Sequence, residues 1–174
     1  MKSFVLGGAR SGKSAYAEKL ATDSGLEVVY IATAQVYDDE FAERIQHHQQ
    51  RRPAEWQLVE SPFFLAQTLR EQARDYRFLL VDCLTLYLAQ WLCPDCNPPQ
   101  DKSWQQEREE LLANLANLPG QIALVSNEVG LGIVPMGEIN RRYQDEAGRL
   151  NQAVAAVCDQ ALFMAAGLPL TLKG

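Results

Sequence analysis

The chain has 174 residues, of which 47% are hydrophobic and 22% are charged, a composition typical of a globular domain. A formal net charge of −6 argues against a large nucleic-acid-binding surface. No apolar run is long enough to span a membrane, and the apolar stretch at the start is too short for the core of a signal peptide. We therefore expect a single cytoplasmic domain, residues 1–174, with no nucleic-acid partner.

The first motif joins a short apolar segment to a glycine-rich loop. Residues 2–6, KSFVL, predict a buried strand, and residues 7–14, GGARSGKS, fit the phosphate-binding P-loop pattern G-x-x-x-x-G-K-[ST]. In this pattern glycines let the backbone curl around a phosphate chain and aim N–H groups at it. Lys13 supplies charge for the β and γ phosphates, and Ser14 offers a hydroxyl to Mg²⁺.

Residues 14–20 predict the helix that must follow such a loop, with its positive dipole end at the phosphates. The alternative is a glycine turn beside an exposed lysine. The P-loop interpretation predicts that the whole loop binds nucleotide, which comprises Gly7, Gly8, Ala9, Arg10, Ser11, Gly12, Lys13 and Ser14.

A second buried strand is predicted at residues 27–32, EVVYIA. Thr33, Ala34 and Gln35 follow its carboxyl end, where ligands bind in open α/β sheets. These residues are expected near the nucleotide if this strand neighbours the first one.

Residues 37–52, YDDEFAERIQHHQQRR, predict a helix with acidic residues in its first turn and arginines in its last turn, both favourable for the helix dipole. A proline at position 53 ends it. His48 shares the inward face with Phe41 and Ile45, whereas His47 lies on the charged face. A packed, hydrogen-bonded histidine is the structural alternative for His48.

The next elements are a short strand at 55–60, a helix at 63–73 and a buried strand at 77–82. The last of these, RFLLVD, ends in Asp82. An apolar strand that ends in an aspartate often partners a P-loop by holding Mg²⁺. A solvent-exposed aspartate at a strand end is the alternative.

The sequence of the C-terminal half predicts six more helices and strands and two loops. Cys93 and Cys96 form a single CxxC in the first loop, and because no second ligand pair is visible, we expect a loop with two thiols rather than a zinc site. Ser103 and Gln106 resemble a capping box. The predicted segments are a helix at 84–92, a loop at 93–102, a helix at 103–117, a strand at 121–126, a glycine-rich loop at 127–137, a helix at 138–159, and two final strands with a turn at 167–169.

Five segments together resemble one family over nearly the whole chain. They are GGARSGKS at 7–14, the block at 30–60, LLVDCLTLYL at 79–88, VSNEVGLGIVP at 125–135 and RYQDEAGRLNQ at 142–152. The chain resembles the bifunctional adenosylcobinamide kinase/adenosylcobinamide-phosphate guanylyltransferases of cobalamin biosynthesis. The P-loop alone does not discriminate families, but the block at 30–60 joined to SNEVG at 126–130 does.

The resemblance implies two reactions. In the first, the γ-phosphate of ATP or GTP goes to the hydroxyl of cobinamide's aminopropanol arm. In the second, GTP gives GMP to an enzyme histidine, and the new phosphate on the corrinoid then takes the GMP. The family motif places this histidine at His48, the residue that periodicity also places inward.

The resemblance also implies a set of binding residues and a homo-oligomer, specifically a homotrimer. Mg²⁺ would be held by Ser14 and Asp82. Nucleotide contacts beyond the P-loop would fall on Ala32, Thr33, Ala34, Gln49, Gln50, Arg51, Arg52, Glu60 and Asp82. The expected fold is a three-layer α/β/α P-loop NTPase of the RecA-like type, with a mostly parallel sheet and an antiparallel C-terminal hairpin strand.

Two other functions stay open at this stage. One is a plain P-loop small-molecule kinase in which His48 only packs. The other is a nucleotide-gated binding module that does no chemistry. The sequence assigns neither the preferred phosphate donor of the kinase step, nor the upper ligand of the corrinoid, nor the general base.

Overall fold

The computed structural model describes residues 1–35 and 53–174. The predicted helix at 37–52 lies outside these residues. Within the described ranges, seven strands form one sheet in the order β3-β2-β4-β5-β1-β6-β7. Neighbouring strands are parallel except β6 and β7. The strands are β1 (Lys2–Gly7), β2 (Glu27–Ala32), β3 (Gln57–Glu60), β4 (Arg77–Asp82), β5 (Gln121–Asn127), β6 (Gln160–Ala165) and β7 (Leu168–Lys173).

Helices cover both faces of this sheet. In the described ranges they are α1 (Lys13–Asp23), α2 (Leu65–Gln72), α3 (Leu84–Leu92), α4 (Trp104–Leu115) and α5 (Glu138–Val157), with a short 3₁₀ turn at Pro94–Cys96. None of these helices is long and apolar enough to cross a membrane.

Two apolar clusters lie between the sheet and the helices, one on each face of the sheet. On one face, Ala17 and Ala21 of α1 belong to a buried cluster with strand residues such as Val5 and Leu80. On the other face, α2, α3, α4 and α5 bury residues such as Leu69 and Leu111 in a larger cluster. Alternate residues of β1 and β4 enter opposite clusters, as the period of a strand requires. The predicted three-layer architecture is therefore confirmed.

The C-terminal hairpin confirms the predicted antiparallel edge, but the turn comes earlier than predicted. Ala166 and Gly167 occupy its two central positions with φ of 51° and 81°. Two left-handed residues in a two-residue loop match the twist of a hairpin. Pro169, predicted in the turn, lies within β7, an edge strand where the missing N–H costs no sheet hydrogen bond.

A buried carboxylate joins three helices of the larger core. Glu107 of α4 has 0% exposure, and its Oε1 accepts hydrogen bonds from the Tyr87 hydroxyl at 2.6 Å and the Ala66 N–H at 2.9 Å. Its Oε2 accepts from Lys102 Nζ at 2.5 Å. The capping box predicted at Ser103 and Gln106 is present at the start of the same helix. These contacts fix α4 against α2 and α3.

The strand order shows that β2 does not neighbour β1, which was the condition for placing residues 33–35 beside the P-loop strand. β1 lies between β5 and β6, and β2 pairs with β3 and β4 instead of β1. Ala32 is in register with Asp82 on one side and with Glu60 on the other. The residues after β2 therefore lie beside the end of β4, the strand that ends in Asp82, and not beside the end of β1, which leads into the P-loop.

Candidate nucleotide-binding site

The P-loop at residues 7–14 packs against the β6–β7 turn. The Gly167 N–H donates to the Ser11 carbonyl at 2.9 Å. Gly12 has φ of 97°, and a Cβ there would lie 3.0 Å from Gly167 Cα. A Cβ at Gly7 would lie 2.5 Å from the Met164 carbonyl oxygen. Both positions need glycine because the neighbouring backbone leaves no room for a side chain.

Lys13 begins α1 and is 7% exposed. Its Nζ donates to the Gly8 carbonyl at 2.5 Å, so the ammonium lies over the loop. Burial lowers the pKa of Lys13, while the nearby Cys83 and Asp82 oppose that shift. Asp82 thus lies close enough to Lys13 to interact with it electrostatically, although the two residues are far apart in the sequence.

A separate observation, the state of the Ser11 hydroxyl, supports phosphate binding by this loop. The Ser11 hydroxyl is buried and has no hydrogen-bond partner among the described residues. A buried hydroxyl without a partner costs about 1–3 kcal/mol. An anion held by the loop would supply the missing acceptor, in addition to the N–H groups of a helix start.

Asp82 ends β4 on the same face of the sheet as α1. Leu80, two residues earlier, is buried in the cluster that contains Ala17 and Ala21, and alternation directs Asp82 to that face. Its Oδ2 accepts a hydrogen bond from the Tyr30 hydroxyl at 3.0 Å. Among the described residues, this is the one hydrogen bond to its carboxylate.

The oxygen donors at this edge fit Mg²⁺. Ser14 lies half-buried in the first turn of α1, and Asp82 is half-buried across the edge. The described ranges contain no group of three metal-ligating side chains. Mg²⁺ does not require one, because it is usually bound by one or two carboxylates together with substrate phosphates and water.

Hydrogen bonds fix the segment after β2 beside Asp82. Thr33 donates through its hydroxyl to the Cys83 carbonyl at 2.7 Å and through its N–H to the Asp82 carbonyl at 3.3 Å. Gln90 of α3, which is buried, donates to the Thr33 carbonyl and accepts from the Gln35 N–H at 3.0 Å. These bonds orient the chain where it enters the predicted helix at 37–52.

Sequence reasoning gave Gln90 and Tyr30 no role. Gln90 carries a signal that could have been used, because it is an amide within the apolar segment LTLYLAQWL. A buried amide needs partners, which predicts a hydrogen-bonding task. Tyr30 carries no such signal, since an aromatic residue in a buried strand is ordinary.

Cys83 follows Asp82, and its environment does not favour the thiolate form. Burial, with a further contribution from Asp82, raises the pKa of its thiol to about 11. The thiol is therefore protonated near neutral pH, and the thiolate is the reactive form.

The other predicted site residues fall into two groups. The first group is Glu60, which is exposed at the end of β3. Glu60, Ala32 and Asp82 are in register on three adjacent strands at the carboxyl edge of the sheet. The other group lies outside the described residues, so the placement of its members stays a prediction: His48, Gln49, Gln50, Arg51 and Arg52.

The loop after β5 lies beside the P-loop. The Glu128 N–H donates to the Gly7 carbonyl at 3.0 Å, and Gln144 of α5 donates to the Val129 carbonyl at 3.0 Å. Beyond these anchors the loop exposes apolar side chains, among them Ile133 at 97% and Met136 at 95% exposure. An apolar surface therefore lies at the same edge as the phosphate site.

Two solved structures share the fold of this chain. An ATPase from the type III secretion system of pathogenic bacteria aligns with a TM-score of 0.53 at 12% identity, covering 98% of this chain and 56% of that chain. The RadB recombinase aligns with a TM-score of 0.51 at 14% identity, covering 93% of this chain and 73% of that chain. At such identities the likeness shows the fold alone. With the P-loop geometry, the fold is that of a RecA-like P-loop NTPase.

Sequence comparison then gives the family. The family model described as cobinamide kinase/cobinamide phosphate guanyltransferase, CobU, matches residues 3–172, and the chain belongs to this family. The bifunctional adenosylcobalamin biosynthesis protein CobP of Pseudomonas aeruginosa is 56% identical over 174 residues, which span 100% of this chain and 98% of that protein. Its counterpart CobU of Escherichia coli is 37% identical over 182 residues, covering 99% of this chain and all of that protein.

Proposed function

We propose that the chain phosphorylates adenosylcobinamide with ATP or GTP and then converts the product to adenosylcobinamide-GDP with GTP. The observation that carries the proposal is a complete P-loop in a chain that matches the family model over residues 3–172. Two relatives that align over nearly their full length are named bifunctional adenosylcobalamin biosynthesis proteins, which supports both activities.

In the kinase step, the hydroxyl oxygen of the aminopropanol arm attacks the γ-phosphorus, and the nucleoside diphosphate leaves. The P-loop N–H groups bind the phosphates, and the Lys13 ammonium leaves Gly8 to contact the β and γ phosphates. Ser14 and Asp82 would hold Mg²⁺, which neutralises charge on the transferring phosphoryl group.

In the guanylyl step, neutral His48 attacks the α-phosphorus of GTP, and pyrophosphate leaves. The phosphate oxygen of the corrinoid phosphate then attacks the same phosphorus and releases the imidazole. Ala32–Ala34, Gln49–Arg52 and Glu60 complete the nucleotide site. Support comes from the hydrogen bonds that fix residues 33–35, where the chain enters the segment that contains His48.

We also propose a single catalytic domain over residues 1–174 that functions as a cytoplasmic homotrimer without a nucleic-acid partner. The single sheet supports one domain, and the net charge of −6 disfavours nucleic acid. Self-association is supported by exposed leucines on the edge strand β7, at positions 168, 170 and 172. Sedimentation equilibrium tests the trimer; a monomer at all concentrations would contradict it.

Protein labelling tests the guanylyl step. The chain is incubated with Mg²⁺ and GTP labelled in the α-phosphate, and its mass is measured. We expect one GMP per chain, released by acid and stable to base, as a phosphoramidate is. The variant His48→Ala should lose the label and nucleotidyl transfer while it still phosphorylates cobinamide, because that step uses no covalent intermediate.

His47→Ala is the matched control, since it removes the neighbouring imidazole and should keep the label. A label that survives His48→Ala, or is lost in folded His47→Ala, would assign the wrong histidine. Cobinamide phosphorylation by a wild-type chain that takes no label would favour the plain kinase. Nucleotide binding with neither label nor phosphorylated product would favour the binding module.

A further inference from the structure

We propose that Tyr30 is a positioning residue that fixes the Asp82 carboxylate in the orientation needed to bind the divalent cation of the nucleotide. The proposal rests on the metal-binding role proposed for Asp82. Tyr30 does not contact the nucleotide in this proposal, and it acts through the carboxylate alone.

Strand register brings the two residues together. Tyr30 of β2 is in register with Leu80 of β4, and Asp82 lies two residues further along β4. Side chains two residues apart share a face, so Asp82 is the diagonal cross-strand neighbour of Tyr30. A diagonal neighbour is within reach of a long aromatic side chain. The resulting hydrogen bond, from the Tyr30 hydroxyl to Asp82 Oδ2, is 3.0 Å long.

Burial holds the donor in place. Tyr30 is 4% exposed and belongs to the cluster that contains Ala17 and Ala21 of α1. That helix also carries Lys13 and Ser14. The hydroxyl is therefore positioned by the same layer of the fold that presents the other two groups proposed for phosphate and metal.

The hydrogen bond leaves one carboxylate oxygen available. Tyr30 is bonded to Oδ2, while Oδ1 has no hydrogen-bond partner in the described ranges. A ligating carboxylate is commonly held by a hydrogen bond of this kind, and loss of the donor typically lowers metal affinity about 10- to 100-fold. A half-buried aspartate without such a donor would have to lose side-chain freedom when the metal binds.

The variant Tyr30→Phe tests the proposal because it keeps the packed ring and removes the hydroxyl. Mn²⁺ binding is measured by electron paramagnetic resonance on the chain bound to a non-hydrolysable GTP analogue. We expect the Mn²⁺ affinity to fall about tenfold, at the low end for the loss of such a donor. Affinity for the analogue without metal should stay unchanged. In kinase assays, the half-saturating Mg²⁺ concentration should rise while kcat recovers at saturating Mg²⁺.

Tyr87→Phe is the matched control. It also removes a buried tyrosine hydroxyl that donates to a carboxylate, Glu107, but within the helical core. Its Mn²⁺ affinity should equal that of the wild type, even where its thermal stability is lower. An equal loss of Mn²⁺ affinity in both variants would overturn the proposal, because the effect would then follow from weaker packing.

A double variant separates this proposal from the role of Asp82. If Tyr30 acts through Asp82, Tyr30→Phe should not lower Mn²⁺ affinity further once Asp82→Asn is present. Unchanged Mn²⁺ affinity in Tyr30→Phe, with a clear loss in Asp82→Asn, would overturn the positioning role and leave Asp82 as the metal residue. Unchanged affinity in both would overturn the metal role of Asp82 and the positioning role with it. Weaker binding of the metal-free analogue to Tyr30→Phe would also overturn the proposal, since it would show a general effect on the nucleotide site.

Discussion

Two buried tyrosines in this molecule each donate a hydrogen bond to a carboxylate, and the surroundings of the two carboxylates differ. In the helical core, Glu107 accepts from Tyr87, from the Ala66 N–H and from Lys102. At the carboxyl edge of the sheet, Asp82 accepts from Tyr30. Burial and the adjacent Glu107 raise the pKa of Tyr87, so its hydroxyl stays neutral and remains a donor.

The number of hydrogen-bond partners distinguishes Glu107, which has a structural role, from Asp82, which we propose binds metal. A buried carboxylate is tolerated only when its oxygens are satisfied, and the partners of Glu107 achieve this within the chain. Asp82 is half-buried near Lys13, and one of its oxygens has no hydrogen-bond partner among the residues that the structure describes. We therefore expect changes at the edge to alter catalysis with little effect on stability, and changes around Glu107 to do the opposite.

The largest effect is expected from Lys13→Ala at the edge. Without the ammonium, negative charge that develops on the transferring phosphoryl group is not stabilised. Kinase turnover should fall at least about a hundredfold, the scale for loss of one key electrostatic donor. Steady-state assays with cobinamide measure this, and the thermal midpoint serves as the control. Near-normal turnover in the folded variant would contradict the P-loop assignment.

On the core side, Glu107→Ala should destabilise the fold. The substitution leaves the Tyr87 hydroxyl and the Ala66 N–H without an acceptor and opens a cavity between α2, α3 and α4. We expect the free energy of unfolding to fall by roughly 3 kcal/mol. Urea denaturation measures this change. Below the unfolding transition, the Mg²⁺ requirement of the kinase should stay that of the wild type, and a change in it would break the distinction between the two carboxylates.

The sequence predicted the P-loop and most of the strands because each is encoded by contiguous residues. The glycines and Lys13 carry the phosphate site within eight positions, and the strand before them is a short apolar run. The apolar strand that ends in Asp82 is equally local. For these elements the pattern alone is sufficient, since the geometry depends on neighbours in the chain.

The two tyrosine–carboxylate pairs were not predicted because each depends on packing between distant segments. Tyr30 meets Asp82 only when β2 pairs with β4 in one particular register, and the sequence left open whether β2 would neighbour β1 instead. Glu107 lies in a helix rich in charged residues, where an outward orientation is the ordinary expectation. Its burial follows from the positions of Tyr87 and Lys102, which tertiary structure supplies.

A smaller change at the edge is expected from Asp82→Asn. The amide keeps the size of the side chain but loses its charge, so the Mg²⁺ concentration for half-maximal kinase activity should rise about tenfold. A magnesium titration measures it. An unchanged titration would make Asp82 an ordinary residue at a strand end, and the carboxylates at the edge and in the core would then both be structural.

The smallest expected effect is on the free energy of unfolding, in which we compare Tyr87→Phe with Tyr30→Phe. Tyr87→Phe removes a donor to Glu107 and also an acceptor, because the Tyr87 hydroxyl accepts from the Leu65 N–H at 2.8 Å. The buried N–H left without an acceptor should lower the free energy of unfolding by about 1–2 kcal/mol. Tyr30→Phe should cost less than about 1 kcal/mol, because half-buried Asp82 regains a hydrogen bond from water. Parallel urea denaturation of both variants measures the difference, and equal losses would show that the Asp82 carboxylate depends on Tyr30 for stability as much as Glu107 depends on Tyr87.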